Sequence, residues 1–457
     1  MRIRSWHTAI LDGIRNRFRF KTNRNKRRSM RKATSQSTLA ALAIAATIPL
    51  CEQTTSAQFC QVPMFESDTI DATVNSLTTG DFNGDGITDL ATAGGVTDSA
   101  NSGVSVLLGI GDGTFGPQQS IEAEGFRIAS ADFNGDGNAD LVTTISSSDV
   151  VSILLGSGDG TFSSPQTFDT GDSPRTVITG DFNGDGIIDL ATANAYSYDV
   201  SVLLGTGDGT FANHQDLGAG MTLPHSLTTG DFNGDGIADL ATVTYYSFPG
   251  GSVHLGLGDG TFARQQNFEA IGFSLIAEDF NGDGITDIAT DSGFYVSTLL
   301  GIGDGTFGPG QAFSAGNGSR SFATGDVNGD GIADLAIANI YSDDVSVVLG
   351  LGDGTFGSER NFATGEFSDG VITGDFNGDG ITDLATANYY DVTVLLNQCD
   401  GFILGDVNQD GIVDLLDIGP FVDLLINEEF QAEADTNLDD VVDLLDVQPF
   451  IGIISGG

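Results

Sequence analysis

The feature that most constrains this chain is a repeat of about fifty residues. The segment D-F/V-N-G-D-G-x-x-D occurs seven times, with spacings of 51, 49, 50, 48, 47 and 49 residues. A fixed period of this length dictates the architecture more firmly than local propensity does, because each unit must bury its apolar faces against its neighbours. The seven copies begin at Asp81, Asp132, Asp181, Asp231, Asp279, Asp326 and Asp375.

Each repeat contains four short strand-like segments. One enters the aspartate loop (SLTTGDF), one leaves it (DLATA), a third is apolar (VSVLLG), and a fourth follows a G-D-G-T-F motif. Four-stranded units stacked radially form a β-propeller. The missing 3.6-residue periodicity excludes a helical solenoid, and a repeat this long argues against a β-solenoid. The sequence therefore predicts an all-β fold, a seven-bladed propeller over residues 58–399.

The seventh repeat predicts how the ring closes. It stops at Asn397, after its third strand, without G-D-G-T-F. Near the start of the domain, Phe59 and Phe65 lie six residues apart, as Phe162 and Phe168 do. We therefore expect an N-terminal strand to complete the last blade, which removes the open edge.

The aspartate loops have the pattern of calcium ligands. Side-chain oxygens stand at positions 1, 3, 5 and 9 and a main-chain carbonyl at position 7, while glycine at position 6 allows the sharp turn. Hard oxygen donors without Cys or His argue against zinc, copper and iron. An acidic Asx turn would explain one copy, but seven copies in register predict seven calcium ions. The predicted ligands are Asp81, Asn83, Asp85, Ile87, Asp89; Asp132, Asn134, Asp136, Asn138, Asp140; Asp181, Asn183, Asp185, Ile187, Asp189; Asp231, Asn233, Asp235, Ile237, Asp239; Asp279, Asn281, Asp283, Ile285, Asp287; Asp326, Asn328, Asp330, Ile332, Asp334; and Asp375, Asn377, Asp379, Ile381, Asp383.

The second motif, L-G-x-G-D-G-T-F, follows in six of the repeats. One aspartate cannot build a metal site. The motif therefore predicts a tight hairpin turn with a buried Phe.

The charge is distributed very unevenly. Residues 2–32 contain 12 of the 17 Lys and Arg residues, whereas from residue 58 onward 61 acidic residues face 5 arginines, a formal charge of 5 − 61 = −56. Nucleic acid is excluded as a partner on this ground. Bound cations are expected to offset the repulsion.

Residues 1–57 form a basic leader with a secretory signal peptide. The apolar run 39–50 is too short to span a bilayer and follows a basic stretch. Cleavage after Ala57 is expected, and Met30 fits the start better than Met1 does. A lipoprotein signal through Cys51 and a twin-arginine signal through residues 27–28 fit less well. We expect a protein secreted from, or held on the surface of, a bacterium, with no transmembrane segment.

The repeats resemble the FG-GAP and VCBS families, which occur in integrin α-subunits and in many secreted bacterial proteins. The resemblance covers residues 58 to about 399. It implies a propeller whose calcium ions brace inter-strand hairpins and whose ligands bind to the ring surface through variable loops. The chain contains no inserted metal-dependent adhesion domain, so an integrin-like ligand mechanism is not implied.

Residues 400–457 hold two aspartate loops, 29 residues apart, that each run into an apolar, helix-like stretch. They resemble the dockerin domain, which implies a small helical domain of paired half EF-hands, two more calcium ions, about nine in all, and a cohesin-like partner. The sequence departs from dockerins at Leu415 and Leu416, at Leu444 and Leu445, and at Asp440. The ligands of these two loops would be Asp406, Asn408, Asp410, Ile412, Asp414, Asp417; and Asp435, Asn437, Asp439, Val441, Asp443, Asp446.

Catalytic groups are scarce. Beyond residue 57 there is no lysine, and only His214, His225 and His254 remain, none of them in a nucleophile, zinc or acid–base motif. His254 replaces a Leu of VSVLLG, which favours a core role. We therefore expect an extracellular binding, adhesion or scaffolding protein with a protein or polysaccharide ligand. The alternative is a carbohydrate-active protein: a hydrolase, a lyase, a lectin, or a component of a polysaccharide-degrading complex.

Two cysteines, Cys60 and Cys399, remain after signal removal. An even pair in an exported protein favours a disulfide. The predicted strand order places both at the gap where the last blade lacks its hairpin, so we predict a Cys60–Cys399 bridge.

Overall fold

The computed structural model describes residues 65–71, 74–94, 103–218, 223–244, 250–291 and 295–397. These ranges contain 28 β-strands and no helix, so they also contain none that could cross a membrane. In chain order the strands are β1 Phe65–Asp71, β2 Ser76–Gly80, β3 Asp89–Gly94, β4 Gly103–Leu107, β5 Gln119–Ile121, β6 Ile128–Ala131, β7 Asp140–Ile145, β8 Val150–Leu154, β9 Gln166–Asp169, β10 Pro174–Gly180, β11 Asp189–Asn194, β12 Asp199–Leu203, β13 Gln215–Gly218, β14 Ser226–Gly230, β15 Asp239–Val243, β16 Gly251–His254, β17 Gln266–Phe268, β18 Leu275–Glu278, β19 Asp287–Asp291, β20 Tyr295–Leu299, β21 Gln311–Ser314, β22 Ser319–Gly325, β23 Asp334–Asn339, β24 Asp344–Val348, β25 Arg360–Ala363, β26 Gly370–Gly374, β27 Asp383–Ala387 and β28 Asp391–Asn397.

The strands form seven four-stranded antiparallel sheets, the blades of a propeller. Blades 1 to 6 each use four consecutive strands, from β2–β5 to β22–β25. Blade 7 has the order β1-β28-β27-β26. The predicted seven blades, and their closure by an N-terminal strand, are confirmed.

The register of the closing strand differs from the prediction. Phe65 pairs with Asn397 and Ile70 with Val392. In blade 2, Phe168 pairs with Val151, the second residue of the third strand β8. In blade 7, the residue that pairs with the second residue of the third strand is Ile70. Aligning Phe65 with Phe168 was therefore wrong by five residues. In the other blades a hairpin fixes the register, whereas the strand that closes blade 7 arrives without one and is aligned only by its pairing with β28.

The core lies between neighbouring blades. The second strand of each blade is buried on both faces, as in β3, because it lies between two other strands and between two other sheets. Leu107 of blade 1, for example, packs in one cluster with Phe376 and Val394 of blade 7. Small side chains in D-L-A-T-A let the sheets approach closely.

Antiparallel strands reverse direction at each turn, so the turns divide between two faces of the ring. The aspartate loops and the G-D-G-T-F hairpins emerge together on what we call the loop face. The hairpins between second and third strands and the links between blades emerge on the opposite side, the connection face. Hydrogen bonds from Tyr196 N to the Asp172 carbonyl and from Tyr341 N to the Asn317 carbonyl join such a hairpin to a blade link.

Candidate metal centre on the loop face

Each aspartate loop folds around its own first carboxylate. In blade 1 the Asp81 carboxylate accepts hydrogen bonds from the backbone N–H groups of Gly84 at 2.7 Å and Gly86 at 2.9 Å. The N–H of Asp85 donates to Oδ1 of both Asp81 and Asn83. Gly84 and Gly86 have φ of 75° and 81°, a region that disfavours any side chain. The predicted ligands at positions 1, 3 and 5 are thus brought together.

The aspartate at position 9 has a further role that sequence reasoning missed. Asp89 is buried, and its two carboxylate oxygens accept the N–H groups of Phe82 at 2.8 Å and Gly109 at 2.7 Å. Gly109 is the first glycine of L-G-x-G-D-G-T-F, so position 9 joins the aspartate loop to the hairpin motif. The available signal was the constant glycine: a Cβ there would collide with the Thr88 carbonyl. The equivalent aspartates are Asp140, Asp189, Asp239, Asp287, Asp334 and Asp383, with Asn397 N taking the place of the glycine N–H in blade 7.

The electrostatics of the loops suit a divalent cation. Burial raises the pKa of Asp140 to about 6, against the backbone hydrogen bonds it accepts, and the neighbouring carboxylates of Asp136 and Asp132 raise it further. In blade 6 burial raises the pKa of Asp334 to about 7. A hard cation beside three oxygen-donor carboxylates would reverse this repulsion, so the donor chemistry fits calcium. Within the described ranges, however, no three Asp, Glu, His or Cys side chains converge into a ready-made metal cluster, and calcium stays a prediction.

The second motif forms the predicted hairpin turn. The Asp112 carboxylate accepts the N–H of Thr114 at 3.0 Å, and Gly109 pairs with Phe115 in an isolated bridge. The prediction that the motif Phe is buried was only partly right. Phe211 is buried, whereas the other five are half-buried.

Each hairpin also holds the neighbouring blade. Phe162 of blade 2 packs edge-on against Phe82 of the blade 1 loop, with ring centroids 5.7 Å apart, and Gly160 N donates to the Phe82 carbonyl at 2.9 Å. Similar ring pairs join the hairpins of blades 1, 3, 4, 5 and 6 to the loop of the preceding blade, that of blade 1 to blade 7. The second motif therefore connects the aspartate loops into one ring.

Blade 7 has no hairpin, and Asn397 replaces it. Its N–H donates to Asp383 Oδ1 at 2.6 Å, and its Nδ2 donates to the Val327 carbonyl of blade 6 at 2.6 Å. Val327 stands where the other loops carry Phe. The smaller side chain is sufficient here because blade 7 has no hairpin Phe that would pack against this position.

The surroundings of His254 and His214 do not match a nucleophile–base pair. His254 is 3% exposed, in agreement with the predicted core role, and its Nε2 has no hydrogen-bond partner among the described residues. His214, Asp216 and Ser201 lie together, a trio that sequence reasoning missed. However, Asp216 at 2.7 Å and Ser201 at 3.4 Å both approach the same His214 nitrogen, Nδ1. A nucleophile relay needs the two ring nitrogens to serve different partners, so this trio cannot activate the serine.

Several predictions fall outside the described residues. They are the signal peptide, both predicted cysteines, and the two loops of residues 400–457 with their calcium ligands.

Comparisons with known proteins agree with this architecture. The model of the FG-GAP-like repeat family matches residues 81–143, 132–192, 181–242, 279–337 and 326–386. A search of curated protein sequences gave no match.

Among solved structures, a complex of BBS1N with ARL6DN has a TM-score of 0.52 and 11% identity, over 76% of this chain and 99% of that chain. An Agrocybe aegerita lectin that recognises non-reducing terminal N-acetylglucosamine has a TM-score of 0.48 and 21% identity, over 72% and 87% of the two chains. The Vibrio cholerae biofilm matrix protein Bap1 has a TM-score of 0.48 and 12% identity, over 73% and 89%. At 11% identity, the likeness to the BBS1N complex concerns the fold alone.

Proposed function

The chain belongs to the FG-GAP-like repeat family, and from that premise we propose that it is a secreted, calcium-binding β-propeller that works as an extracellular binding, adhesion or scaffolding protein. Its ligand would be a protein or a polysaccharide, and it would catalyse no reaction. Bound calcium would brace the loop face, which would leave the connection face for recognition.

The seven acidic loops support the calcium part of the proposal. In each loop the first carboxylate is already fixed by backbone N–H groups, as Asp81 is by Gly84 and Gly86. The side-chain oxygens of the half-buried Asn83 and the exposed Asp85 lie beside it. Calcium would supply the positive charge that neutralises these carboxylates and would hold each loop against its hairpin.

Thermal denaturation with and without a chelator tests the calcium part. A ligand present at 100 times its dissociation constant stabilises the folded state by about 2.7 kcal/mol per site, so calcium should raise the melting temperature markedly. The control is magnesium at equal concentration, which prefers a smaller, octahedral site and should stabilise less. If a chelator leaves the transition of the mature protein unchanged, the calcium part is wrong.

One observation carries the recognition part: the connection face varies from blade to blade on a constant scaffold. Its hairpins between second and third strands differ in length, and three of them expose a tyrosine at the same place, seven residues after the aspartate that begins the second strand: Tyr196, Tyr341 and Tyr390, with Tyr341 72% exposed. Variable exposed loops on a rigid frame are the usual arrangement for ligand binding. Exposed Tyr rings offer both an apolar surface and a hydroxyl.

A glycan array combined with a polysaccharide panel and an immobilised-protein panel tests recognition. Binding without release of reducing ends supports the proposal. Release of reducing ends would instead establish the carbohydrate-active alternative, and binding to neither class would contradict both. For residues 400–457, retention of the full chain on an immobilised cohesin in calcium, and its loss in chelator, would support the dockerin-like interpretation.

A further inference from the structure

The first strands of neighbouring blades contact one another all round the ring, so they line the central channel. Where these strands begin, at the connection face, one residue per blade occupies an equivalent position, two residues before the first core side chain. We call these seven residues, together with Arg127, which follows Phe126 in blade 2, the channel mouth. The seven are Asn75, Phe126, Arg175, His225, Phe273, Arg320 and Asp369.

The charge of the channel mouth is opposite to that of the protein. Three of the five arginines that follow residue 57, Arg127, Arg175 and Arg320, belong to the channel mouth, and Asp369 is its one acidic member. The region after residue 57 contains 61 acidic residues and 5 arginines, so most surfaces of the protein would offer an arginine several carboxylates. Among the described residues, Asp369 is the one carboxylate that forms ion pairs with these guanidinium groups, so the three arginines exceed their acidic partners by two.

The contacts show which of the three arginines has no acidic partner among the described residues. Asp369 Oδ1 lies 2.9 Å from Arg320 Nε, and its Oδ2 lies 3.2 Å from Arg127 Nη1. Arg127 also donates to the Asn75 carbonyl. Arg175 has no hydrogen bond or ion pair with any residue that the structure describes. The one carboxylate is therefore fully engaged, and Arg175 remains available.

Two of these arginines lie at irregularities in the strand pairing. The ladder of β10 with β11 shifts register between Pro174 and Thr176, and that of β22 with β23 shifts between Ser319 and Ser321. Arg175 and Arg320 are thus the extra residues of two β-bulges. Bulges interrupt pairing and redirect a side chain, and they recur beside functional sites.

The other members of the mouth combine apolar and neutral polar groups. The half-buried rings of Phe126 and Phe273 lie 5.0 and 4.9 Å from the guanidinium carbons of Arg127 and Arg320. His225 Nδ1 lies 2.9 Å from the Phe273 carbonyl. Burial, and then the nearby guanidinium groups, lower the pKa of His225 to about 4, so it is neutral at physiological pH.

We propose that the channel mouth binds the carboxylate of an acidic saccharide, with Arg175 as the principal ligand of the carboxylate. The proposal rests on the extracellular binding function above and names its ligand class. A guanidinium fork matches a planar carboxylate with two parallel hydrogen bonds. The half-exposed Phe rings suit the apolar face of a sugar ring, and the exposed tyrosines of the same face could contact neighbouring sugars.

Calorimetry of the mature protein with galacturonate oligomers, and with neutral galactose oligomers of equal length, tests the proposal. We expect the acidic oligomer alone to bind. Arg175→Gln should weaken this binding by roughly tenfold or more, the loss of one charge-assisted pair. The matched control is Arg360→Gln, which changes the net charge equally on an exposed outer strand and should leave the affinity within about twofold. Because Arg175 has no described partner, its substitution should leave the melting temperature unchanged.

A second variant works in the opposite direction. Asp369→Asn removes the carboxylate that pairs with Arg127 and Arg320 and should raise the affinity for the acidic oligomer. Equal losses in the two arginine variants, equal binding of the neutral oligomer, binding of inorganic sulfate without the saccharide, or tighter binding of an acidic peptide would each overturn the proposal. If the protein binds other members of the glycan or protein panels but no uronate, the binding function stands and this inference falls.

Discussion

Replacement of His254 by leucine should stabilise the protein, and more so in acid. The other six blades carry Leu or Val at this place, in Leu107, Leu154, Leu203, Leu299, Val348 and Leu395, and all six are buried. His254 is 3% exposed, its Nε2 lacks a partner among the described residues, and burial lowers its pKa to about 4. The variant exchanges an unsatisfied polar ring for the side chain that the repeat uses elsewhere.

Two contributions set the size of the effect. A buried polar group without a hydrogen bond costs about 1–3 kcal/mol, which the leucine recovers at any pH. The second contribution is proton linkage. The unfolded chain takes up a proton on this histidine near pH 6.5, whereas the folded protein does so only near pH 4. The stability that depends on a neutral His254 is therefore complete above pH 6.5 and is lost progressively as the pH falls from 6.5 to 4, about 2 kcal/mol of it by pH 5.

Urea denaturation in saturating calcium, at pH 8 and pH 5, measures both contributions. His254→Leu should be more stable than the native chain by about 1–3 kcal/mol at pH 8 and by about 2 kcal/mol more at pH 5. The reciprocal variant Leu203→His, in blade 3, should lose stability and gain a similar pH dependence. The acidic loops titrate identically in all three proteins, so the comparison isolates the histidine. The reasoning would be refuted if His254→Leu were no more stable than the native chain, or if the stability of these two proteins depended on pH in the same way.

Three further predictions concern the blade contacts, the closure and the leader. Asp189→Ala removes the acceptor of the buried Phe182 N–H and of the half-buried Gly205 N–H and should cost about 2–6 kcal/mol in urea denaturation, about 1–3 kcal/mol for each group. Asp208→Ala in the exposed hairpin should cost far less, and equal losses would contradict the contact. Non-reducing peptide mapping should find a Cys60–Cys399 peptide, a bridge worth on the order of 5–6 kcal/mol in the chain-entropy model, and labelling of either thiol in the unreduced protein would reject it. Mass spectrometry of the secreted protein should give Gln58 as the first residue, and peptides from before Ala57 would defeat the signal-peptide prediction.

Features that recur in every repeat could be predicted from the sequence, whereas features that occur only once could not. Seven aspartate loops and the buried D-L-A-T-A strands recur at one period, so the blades could be counted directly. The register of β1 could not be read, because nothing in a single strand tells which residue of β28 it faces. The contact between Asp89 and Gly109 joins two motifs that a local interpretation treats separately. Arg127, Arg175 and Arg320 belong to no motif, and they meet only because the ring closes.

The pairing that closes the ring has a mechanical consequence. Seven residue pairs join β1 to β28, with Phe65 opposite Asn397 at one end. The two chain ends therefore leave the propeller from the same end of the ladder. If the protein were anchored through one end and pulled through the other, the force would act first on that terminal pair and would open the ladder one pair at a time, instead of shearing all seven together. The Asn397 bridge to Val327 would be lost at the outset. A crosslink between Cys60 and Cys399 would lie in front of this pair and carry the load before it reached the blade.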